Sequence, residues 1–542
     1  MMNGKMKALS IFLIILLVTL SACTGSNDTS TKPKDNEGNS STETGNTIVV
    51  GISNAVGSIN PINTRDMAAN TIASILLDPF FEADDTMEYL PKLADSMETT
   101  DNQTFTVKLN AKAKWTDGTP VTTEDVKFTF DIITNPTAQT VGTNLNYIEG
   151  LDENGRLPIG ESTVKGIEIV DAQTFVIHTK KPVDPNYLKG HLANIRTLPS
   201  HILTDKDPAT LHQDPFMLKP NVTNGAYTLK DFKPESIIEL NANPDYYRGA
   251  PKTEKVFFKV VPSANLTAQL QTGEIHMNYP IAGPIAVQDF EKVKNMANVR
   301  TINGLPFDYA SLFFNMKTIS DPKVRQAIAH AINRPQIVKQ LFKDQAEIVD
   351  GPYTSPHPYL DKDIPLYDYD PEKAKELLSQ SGWDKNKKLR MIIPIGNQIR
   401  EQASVIIVEN LRAAGINVEI QKFDFPTLMQ KGAAKDFDLM VFGMVYQIDP
   451  DVSHFFQTNK PLNFAGYSNT KMDELFQQGK DEADAEKRKV IYNEVQEILN
   501  KDLPMISIYS DIKLGVVSKK VKVGEPKQFG MFYNVHEWVI EK

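Results

Sequence analysis

Helix-like and strand-like patterns alternate along the second half of the chain. From about residue 321, amphipathic segments such as "DPEKAKELLSQSG" and "REQASVIIVENLRAAG" are separated by short apolar segments at 389–396, 416–423 and 438–446. Two parallel strands need a crossover connection, which is usually a helix. This order therefore predicts an α/β fold with a partly parallel sheet.

Strand patterns also stand at the two ends of the folded region. The segment "TIVVGI" (47–52) is β-branched and apolar, residues 104–115 alternate apolar with polar side chains, and 504–517 is again strand-like. A helix is expected from Asn70 to near Pro79. A chain that leaves one lobe, builds a second and returns crosses between them twice, and two crossings favour a hinge.

Length and charge limit the classes of protein that this chain can belong to. Its 542 residues are too many for one hydrophobic core, so two or three domains are expected. The chain carries 58 basic and 68 acidic residues, a net charge of −10, and nucleic-acid binding is not expected because it leaves a basic footprint. A single cysteine excludes an internal disulfide.

The N-terminal segment has the pattern of an export signal. Lys5 and Lys7 precede an apolar run over 8–20, which Ser21 and Ala22 follow, so residues 1–22 are predicted to be a signal peptide. The run is shorter than the roughly 20 apolar residues of a membrane-spanning helix.

The one cysteine follows this signal directly. "LSAC" resembles the lipobox of bacterial lipoproteins, which implies that Cys23 becomes the first mature residue and carries a lipid anchor. The alternative is a plain secretory signal with an incidental cysteine. Residues 24–46 contain no large apolar side chain, so the lipidated cysteine and this stretch, 23–46, are expected to form a disordered tether. We therefore expect an extracytoplasmic, membrane-anchored protein.

Motifs of enzyme chemistry are missing from the sequence. It contains no G-x-S-x-G, no H-E-x-x-H and no G-x-x-x-x-G-K, and its nine histidines are scattered without i, i+4 pairs. We therefore expect no catalytic residues, no cofactor and no metal site. A carboxylate pair assembled from distant positions remains possible, so a secreted hydrolase stays an alternative.

Segments along nearly the whole mature chain resemble one family in order. The segment "FTVKLNAKAKWTDGTPVTTEDVKFTFD" (105–131) is similar to the signature of the family 5 extracellular solute-binding proteins, the peptide and nickel receptors of ABC importers. Further similar segments are "LPSHIL" (198–203), "VTNGAYTLKDF" (222–232), "NPDYYRGAP" (243–251), "QLQTGEIHM" (269–277), "FFNMKTISDPKVRQAIAHAINR" (313–334), "DYDPEKAKELLSQSGW" (368–383), "LRAAGINVEI" (411–420) and "DLPMISIY" (502–509).

The resemblance implies a type II periplasmic-binding-protein-like clamp with two lobes, a hinge and an extra side domain. Domain I would comprise 47–78, 203–304 and 507–542. Domain II, the side domain, would be 79–202, and domain III, the second lobe, 305–506. Within the helix that contains Arg325, this arginine is expected to pair with a nearby carboxylate.

The same resemblance implies where a ligand is held. An extended peptide would pair its backbone with two chain segments, one from each lobe, so that its amide groups stay hydrogen-bonded away from water. Gly443 would allow two backbones to approach closely. The aligned positions are Thr64, Arg65, Asp66 and Met67 in the first segment and Phe442, Gly443, Met444, Val445 and Tyr446 in the second.

One position departs from the family pattern. Peptide receptors of the family place an Asp after the second segment to bind the ligand's α-ammonium, and here that position is Tyr446 or Gln447. Asp449 and Asp451 are the nearest acids, and Asp449 is the preferred candidate. Asp449 could equally be a turn residue before Pro450. A further alternative is that the receptor anchors no free peptide N-terminus and takes longer or internally held peptides.

The function that follows is a monomeric receptor that captures oligopeptides between two lobes and delivers them to the permease of an ABC importer. Alternatives within the binding class are receptors for nickel chelates, dipeptides, opines or sugars. The secreted hydrolase is the alternative from another class.

Overall fold

The computed structural model describes residues 46–64, 66–141, 144–445 and 448–541, with only the backbone of Phe307. The predicted signal, Cys23 and its tether up to residue 45 lie outside the described residues, as do Arg65, Tyr446 and Gln447.

The strands, in chain order, are β1 Thr47–Ile52, β2 Phe81–Ala83, β3 Tyr89–Pro91, β4 Ala94–Glu98, β5 Thr104–Leu109, β6 Ile167–Ile169, β7 Thr174–His178, β8 Tyr227–Lys233, β9 Ile237–Ala242, β10 Lys255–Val260, β11 Met277–Asn278, β12 Val299–Phe314, β13 Ala346–Glu347, β14 Lys388–Pro394, β15 Asn417–Phe423, β16 Leu439–Val445, β17 Met505–Ser518, β18 Val521–Val523 and β19 Val539–Ile540.

The α-helices are α1 Met67–Leu76, α2 Thr123–Thr134, α3 Pro185–Leu192, α4 Ser200–Leu203, α5 Pro215–Leu218, α6 Ser263–Thr272, α7 Phe290–Lys294, α8 Pro322–Ala331, α9 Arg334–Phe342, α10 Pro371–Gln380, α11 Gln398–Ala413, α12 Phe425–Ala433, α13 Ser453–Phe456, α14 Thr470–Asp481 and α15 Ala485–Asp502. Short 3-10 turns lie at Leu211–Gln213, Val287–Asp289 and Val535–Glu537. In the described ranges, no helix combines the length and apolar character that crossing a bilayer requires.

The largest sheet has eleven strands in the order β15-β14-β16-β12-β17-β11-β1-β10-β9-β8, and β13 adds to β17. β14 is parallel to both β15 and β16, and β1 is parallel to both β10 and β11. The other pairs in this sheet are antiparallel. The predicted partly parallel α/β sheet is confirmed.

Two long strands join the two halves of this sheet. β12 and β17 pair antiparallel from Val299 opposite Ser518 to Phe313 opposite Met505. Their register shifts three times between Asn303 and Ser311, so the ladder is irregular near its middle. Because β11 continues the sheet from β17 and β16 continues it from β12, these two strands are the structural link between the halves.

Separate apolar cores stabilise the halves. One core contains Ile48 and Phe258 of the first half and also Phe105 and Phe175 of a smaller sheet with strand order β4-β5-β7-β6. Two further cores cover the β14–β16 half, one on the face that packs against α8, α9 and α11, and one that includes rings from β12, β16 and α14. Burial of these side chains is the main favourable contribution to folding.

Some predicted element boundaries are wrong for local reasons. Helix α1 begins at Met67 rather than Asn70 because the Asp66 carboxylate accepts the Ala69 N–H and caps the helix at that point. Strand β5 ends at Leu109 rather than at residue 115, since the chain turns there. The predicted strand at 47–52 is confirmed.

Arg325 does not form the predicted ion pair. Its guanidinium donates to the main-chain carbonyls of Ile319, Ser320 and Asp502. Arg325 lies on the buried face of α8, where burial lowers its pKa and the Asp502 and Asp321 carboxylates oppose that shift without coming within ion-pair distance.

Candidate functional site

A cavity of about 740 Å³ lies beside α1. Most of its lining residues come from five stretches of chain, 61–74, 79–92, 190–196, 445–449 and 528–532. Its volume falls in the range of roughly 300–1,000 Å³ that is usual for small-ligand pockets. Since it is a concave space with polar groups in its wall, it is the candidate binding site.

Both predicted ligand segments reach this cavity. Thr64 and Met67 line it from the segment before and at the start of α1, and Val445 and Asp449 line it from the end of β16 and the following loop. The side chains of Met67 and Val445 are 44% and 55% exposed. The fold therefore brings together two segments that are far apart in the sequence.

The other predicted residues of the second segment contribute differently. The rings of Phe442 and Phe313 lie 6.4 Å apart within an apolar cluster, and Met444 is buried. At Met444, therefore, only main-chain groups can meet a ligand, whereas Phe442 is half-buried and its ring also stacks on the exposed ring of Phe425. In the first segment, the carboxylate of Asp66 is already used to cap α1.

Strand β16 has one incompletely paired edge. It pairs along its whole length with β12, whereas its pairing with β14 involves only Leu439 and Met440. Within the described residues, 441–445 have no strand partner on the β14 side. Such an edge presents N–H and C=O groups that can pair with another extended chain. This edge ends at Val445, in the cavity wall.

The absence of a side chain at Gly443 allows the guanidinium of Arg400 to lie close to strand β16. A Cβ atom at this position would collide with Nη2 of Arg400, which extends from the first turn of α11. The space was expected to serve the approach of a second backbone, and in the structure the Arg400 guanidinium lies against it. Glycine at this position therefore sets how near that cation lies to the strand.

Asp449 takes part in a buried charge network. Its Oδ2 lies 2.6 Å from Nη1 of Arg488, and its Oδ1 accepts the Asp451 N–H. Burial raises the pKa of Asp449, and the nearby Arg488 opposes that shift. Arg488 also lies 3.7 Å from Asp184, which caps α3, so it links the β16 loop to residues before that helix.

A second charged cluster lies in the wall near α1. Nζ of Lys92 is 2.6 Å from Glu82 and 3.4 Å from Asp78, and the Lys92 side chain is only 2% exposed. Burial alone would lower the pKa of Lys92, but Glu82 and Asp78 raise it above its ordinary value. Both Tyr246 and Tyr247 donate their hydroxyls to Asp78. The lysine therefore stays charged in this cluster.

Arg196 is a further buried cation in the same wall. It is 7% exposed, and its guanidinium bonds to Ser74 and to the main-chain oxygens of Asn70 and Asn194. Burial lowers the pKa of Arg196 to about 10, and Glu82 opposes the shift.

A neutral aromatic cluster packs around His191, which lines the cavity. The rings of His191 and Tyr187 lie 4.6 Å apart, and Tyr147 packs edge-on against both. Burial lowers the pKa of His191 to about 4, so its imidazole is uncharged at pH 7. Of these three rings, that of His191 lines the cavity, and it contributes an uncharged surface there.

The sequence motifs do not point to five charged residues at this site: Asp78, Glu82, Lys92, Arg196 and Arg488. For two of them a local signal exists, because Lys92 in "YLPKLAD" and Arg196 in "ANIRTLP" are single cations among apolar neighbours. Charged side chains in such surroundings are buried only when paired or functional. The partners themselves come from other elements, and the sequence gives no signal for the pairing.

Gln528 connects the cavity to the joining strands. Its side-chain amide accepts from the N–H and donates to the C=O of Leu305, inside the irregular part of β12. Close by, Lys513 lies 2.6 Å from Asp511 and 3.4 Å from Asp308. Burial and the neighbouring Asp511 raise the pKa of Asp308 to about 6. The Gln528 hydrogen bonds and the Lys513 ion pairs thus both lie on the strands that join the two halves of the sheet.

These features define a class of protein. The structure has an α/β body whose sheet continues through two shared strands, a ligand-sized cavity, and a free strand edge that ends in the cavity wall. This combination is that of a solute-binding protein. The chain belongs to the bacterial extracellular solute-binding proteins, family 5, whose model matches residues 88–464. The fold class expected from the sequence, a type II periplasmic-binding-protein-like clamp, is confirmed.

Known proteins similar to this chain cover almost its full length. The oligopeptide-binding protein AppA of Bacillus subtilis (strain 168) is 27% identical over 556 residues, which is 98% of this chain and 98% of that protein. The solved structure of the AppA protein in complex with a nonapeptide has a TM-score of 0.73 and 25% identity, covering 92% of this chain and 99% of the other.

A second solved structure supports the fold. The ABC transporter substrate-binding protein CtaP of Listeria monocytogenes has a TM-score of 0.81 at 23% identity, and the match covers 92% of this chain and 100% of that one.

Proposed function

We propose that this protein is a peptide receptor that holds oligopeptides in extended form in the cavity and delivers them to the permease of an ABC importer. The observation that carries the proposal is the unpaired edge of β16 at 441–445, which ends at Val445 in the wall of the cavity that Thr64 and Met67 also line. Backbone pairing at such an edge is independent of side-chain identity, so broad specificity follows.

The relatives support this reading. A protein that matches nearly the whole chain is named as oligopeptide-binding, and the related solved structure contains a nonapeptide. A ligand held mainly through its main chain is consistent with both.

Closure of the two lobes would require a hinge, and strands β12 and β17 are the candidate position for it. We infer that domain I (47–78, 203–304 and 507–542) and domain III (305–506) are the two lobes, with domain II (79–202) as the side domain. Both proposed crossings fall within β12 and β17, where the register is irregular. A ligand that contacts both segments stabilises the closed form more than the open form, and this difference would drive closure.

Asp449 is the proposed partner of the ligand's α-ammonium. Three carboxylates, Asp184, Asp449 and Asp451, lie close to two cations, Arg488 and Lys480. The group therefore has one negative charge in excess, and a buried α-ammonium would balance it. A comparison of peptides with free and acetylated N-termini tests this role: we expect tighter binding of the free form, and equal binding would contradict it.

The cellular location of the protein is proposed from its N-terminal sequence. We propose that Cys23 carries a lipid that holds the monomeric receptor at the outer face of the cell membrane, with residues 24–46 as a tether. A Cys23→Ser variant is expected to be released from the membrane fraction.

The receptor is proposed to return its ligand unchanged. The test is to purify the protein from cells, denature it gently and identify the released molecules by mass spectrometry. We expect peptides of several sequences, in a total amount about equimolar with the protein. Incubation of the protein with one such peptide should leave the peptide intact, whereas the appearance of fragments would favour the hydrolase. Release of nickel chelates, opines or sugars in place of peptides would contradict the proposal.

A further inference from the structure

Arg196 stands out among the charged groups of the cavity. Together with Thr71 and Ser74 of α1 and Tyr279, it lines the wall on the side of the first half of the sheet. More than nine-tenths of the arginine is buried. It is not involved in the role proposed for Asp449, and the sequence did not identify it.

The hydrogen bonds of Arg196 leave part of its guanidinium unused. Nε and Nη2 donate to Ser74 Oγ, and Nη2 also donates to the main-chain oxygen of Asn70. Nη1 carries two hydrogens but donates one bond, to the main-chain oxygen of Asn194. Among the described residues, the second hydrogen of Nη1 has no acceptor, and all the acceptors that Arg196 does have are uncharged.

Arg325 shows what a purely structural arginine looks like in this protein. It is also buried, and main-chain oxygens accept its hydrogen bonds too. Its Nη1 donates to two carbonyls, those of Ile319 and Ser320, and its Nη2 donates one bond, to the carbonyl of Asp502. Like Arg196, it therefore leaves one of its five N–H donors unused. Arg325 does not line the cavity. The two arginines therefore differ in access to the cavity, and only at Arg196 can a ligand reach the unused donor.

Among the described residues, no carboxylate lies within ion-pair distance of Arg196. Asp78 and Glu82 are both within ion-pair distance of Lys92 instead. Glu82 opposes the lowering of the Arg196 pKa by burial, but none of the hydrogen bonds of Arg196 goes to it. A buried charge without a counter-ion is costly, and a ligand that supplies the counter-ion removes that cost.

We propose that Arg196 forms a carboxylate-binding subsite of the cavity, so that the preferred ligands are peptides that place a carboxylate against its unused Nη1 donor. This inference rests on the proposed peptide-receptor function and extends it. The carboxylate comes either from a Glu or Asp side chain or from the peptide C-terminus. A planar guanidinium with a free donor suits either source.

Calorimetry on the full-length protein in detergent tests the subsite. One series of probes is a pentaalanine scaffold with Glu or Gln at each position in turn, and a second pair is pentaalanine with a free or an amidated C-terminus. In the wild type, we expect at least one acidic probe to bind roughly tenfold more tightly than its neutral partner, the gain of one charge-assisted hydrogen bond. A Glu–Gln difference identifies a side-chain source, and an acid–amide difference identifies the C-terminus.

Two substitutions assign the preference to its residue. Arg196→Gln should abolish the difference between acidic and neutral probes while the neutral probes still bind, and Arg196→Lys should restore part of it. Arg325→Gln is the matched control: it removes a buried arginine outside the cavity and should leave the preference unchanged.

The outcomes separate this inference from the proposed function. If acidic and neutral probes bind the wild type equally, the subsite is refuted and the peptide receptor stands. If the preference persists in Arg196→Gln, the subsite is also refuted. If no peptide binds at all, the receptor function fails and the subsite fails with it. Should Arg196→Gln not fold, the wild-type comparison of acidic with neutral probes decides the question.

Discussion

Replacement of Arg488 by Gln is expected to destabilise the protein strongly. The arginine side chain is 3% exposed and lies 2.6 Å from Asp449 and 3.7 Å from Asp184. Its Nε also donates to the Gly479 carbonyl. A neutral, shorter side chain leaves two carboxylates in the interior without their counter-ion. Removal of one partner of a buried ion pair typically costs about 3–5 kcal/mol.

This cost translates into a measurable change in melting temperature. Unfolding entropy is about 2.1 cal/mol/K per residue, which for a chain of 542 residues amounts to about 1 kcal/mol per kelvin. The Arg488→Gln variant should therefore melt about 3–5 °C below the wild type in differential scanning calorimetry.

A matched control lies on the same pair of helices. Lys471 and Glu494 form an exposed pair between α14 and α15, with side chains 50% and 44% exposed. Exposed ion pairs contribute about 0–1 kcal/mol, so Lys471→Gln should shift melting by no more than about 1 °C. Adding Asp449→Asn to Arg488→Gln should recover part of the loss. If Arg488→Gln melts like the control, the network is not a stabilising ion pair and the reasoning fails.

Three further changes test other parts of the site. Gln528→Ala removes both hydrogen bonds to Leu305 and should change the peptide-induced decrease in radius of gyration in small-angle scattering; an unchanged decrease would exclude a role in closure. Gly443→Val should displace Arg400 from the strand and weaken peptide binding at least tenfold in calorimetry, whereas wild-type affinity would refute a ligand path along this edge. Asp308 has a pKa of about 6, raised from 3.8, so its stabilising contribution is fully present below pH 3.8 and is lost as the pH rises through 6. Between pH 4 and pH 7, the melting temperature of Asp308→Asn should therefore fall by less than that of the wild type. Equal falls would contradict the raised pKa of Asp308.

The fold was predictable from local patterns. Alternating helices and strands after residue 321 gave the partly parallel sheet, and the strand at 47–52 was found as predicted. These features depend on side-chain periodicity, which each segment carries by itself. The start of α1 was misplaced although its cap, Asp66, is visible in the sequence.

The candidate site was predictable only in part. Resemblance to a family pointed to Thr64, Met67, Val445 and Asp449, and these residues do line one cavity. The ion partner of Asp449 is on α15, a distant element, and no local pattern links the two. Arg196 illustrates the same limit, because its burial and its unused donor result from how α1 packs against the loop before α4.

A crystal structure of the protein with a peptide identified from its own purified preparation tests the central claim most directly. The account predicts one extended peptide in the cavity, with its main-chain N–H and C=O groups bonded to residues 441–445 of β16 and to the segment around Thr64. A ligand bound elsewhere, or one held in the cavity without main-chain bonds to this strand, would contradict it.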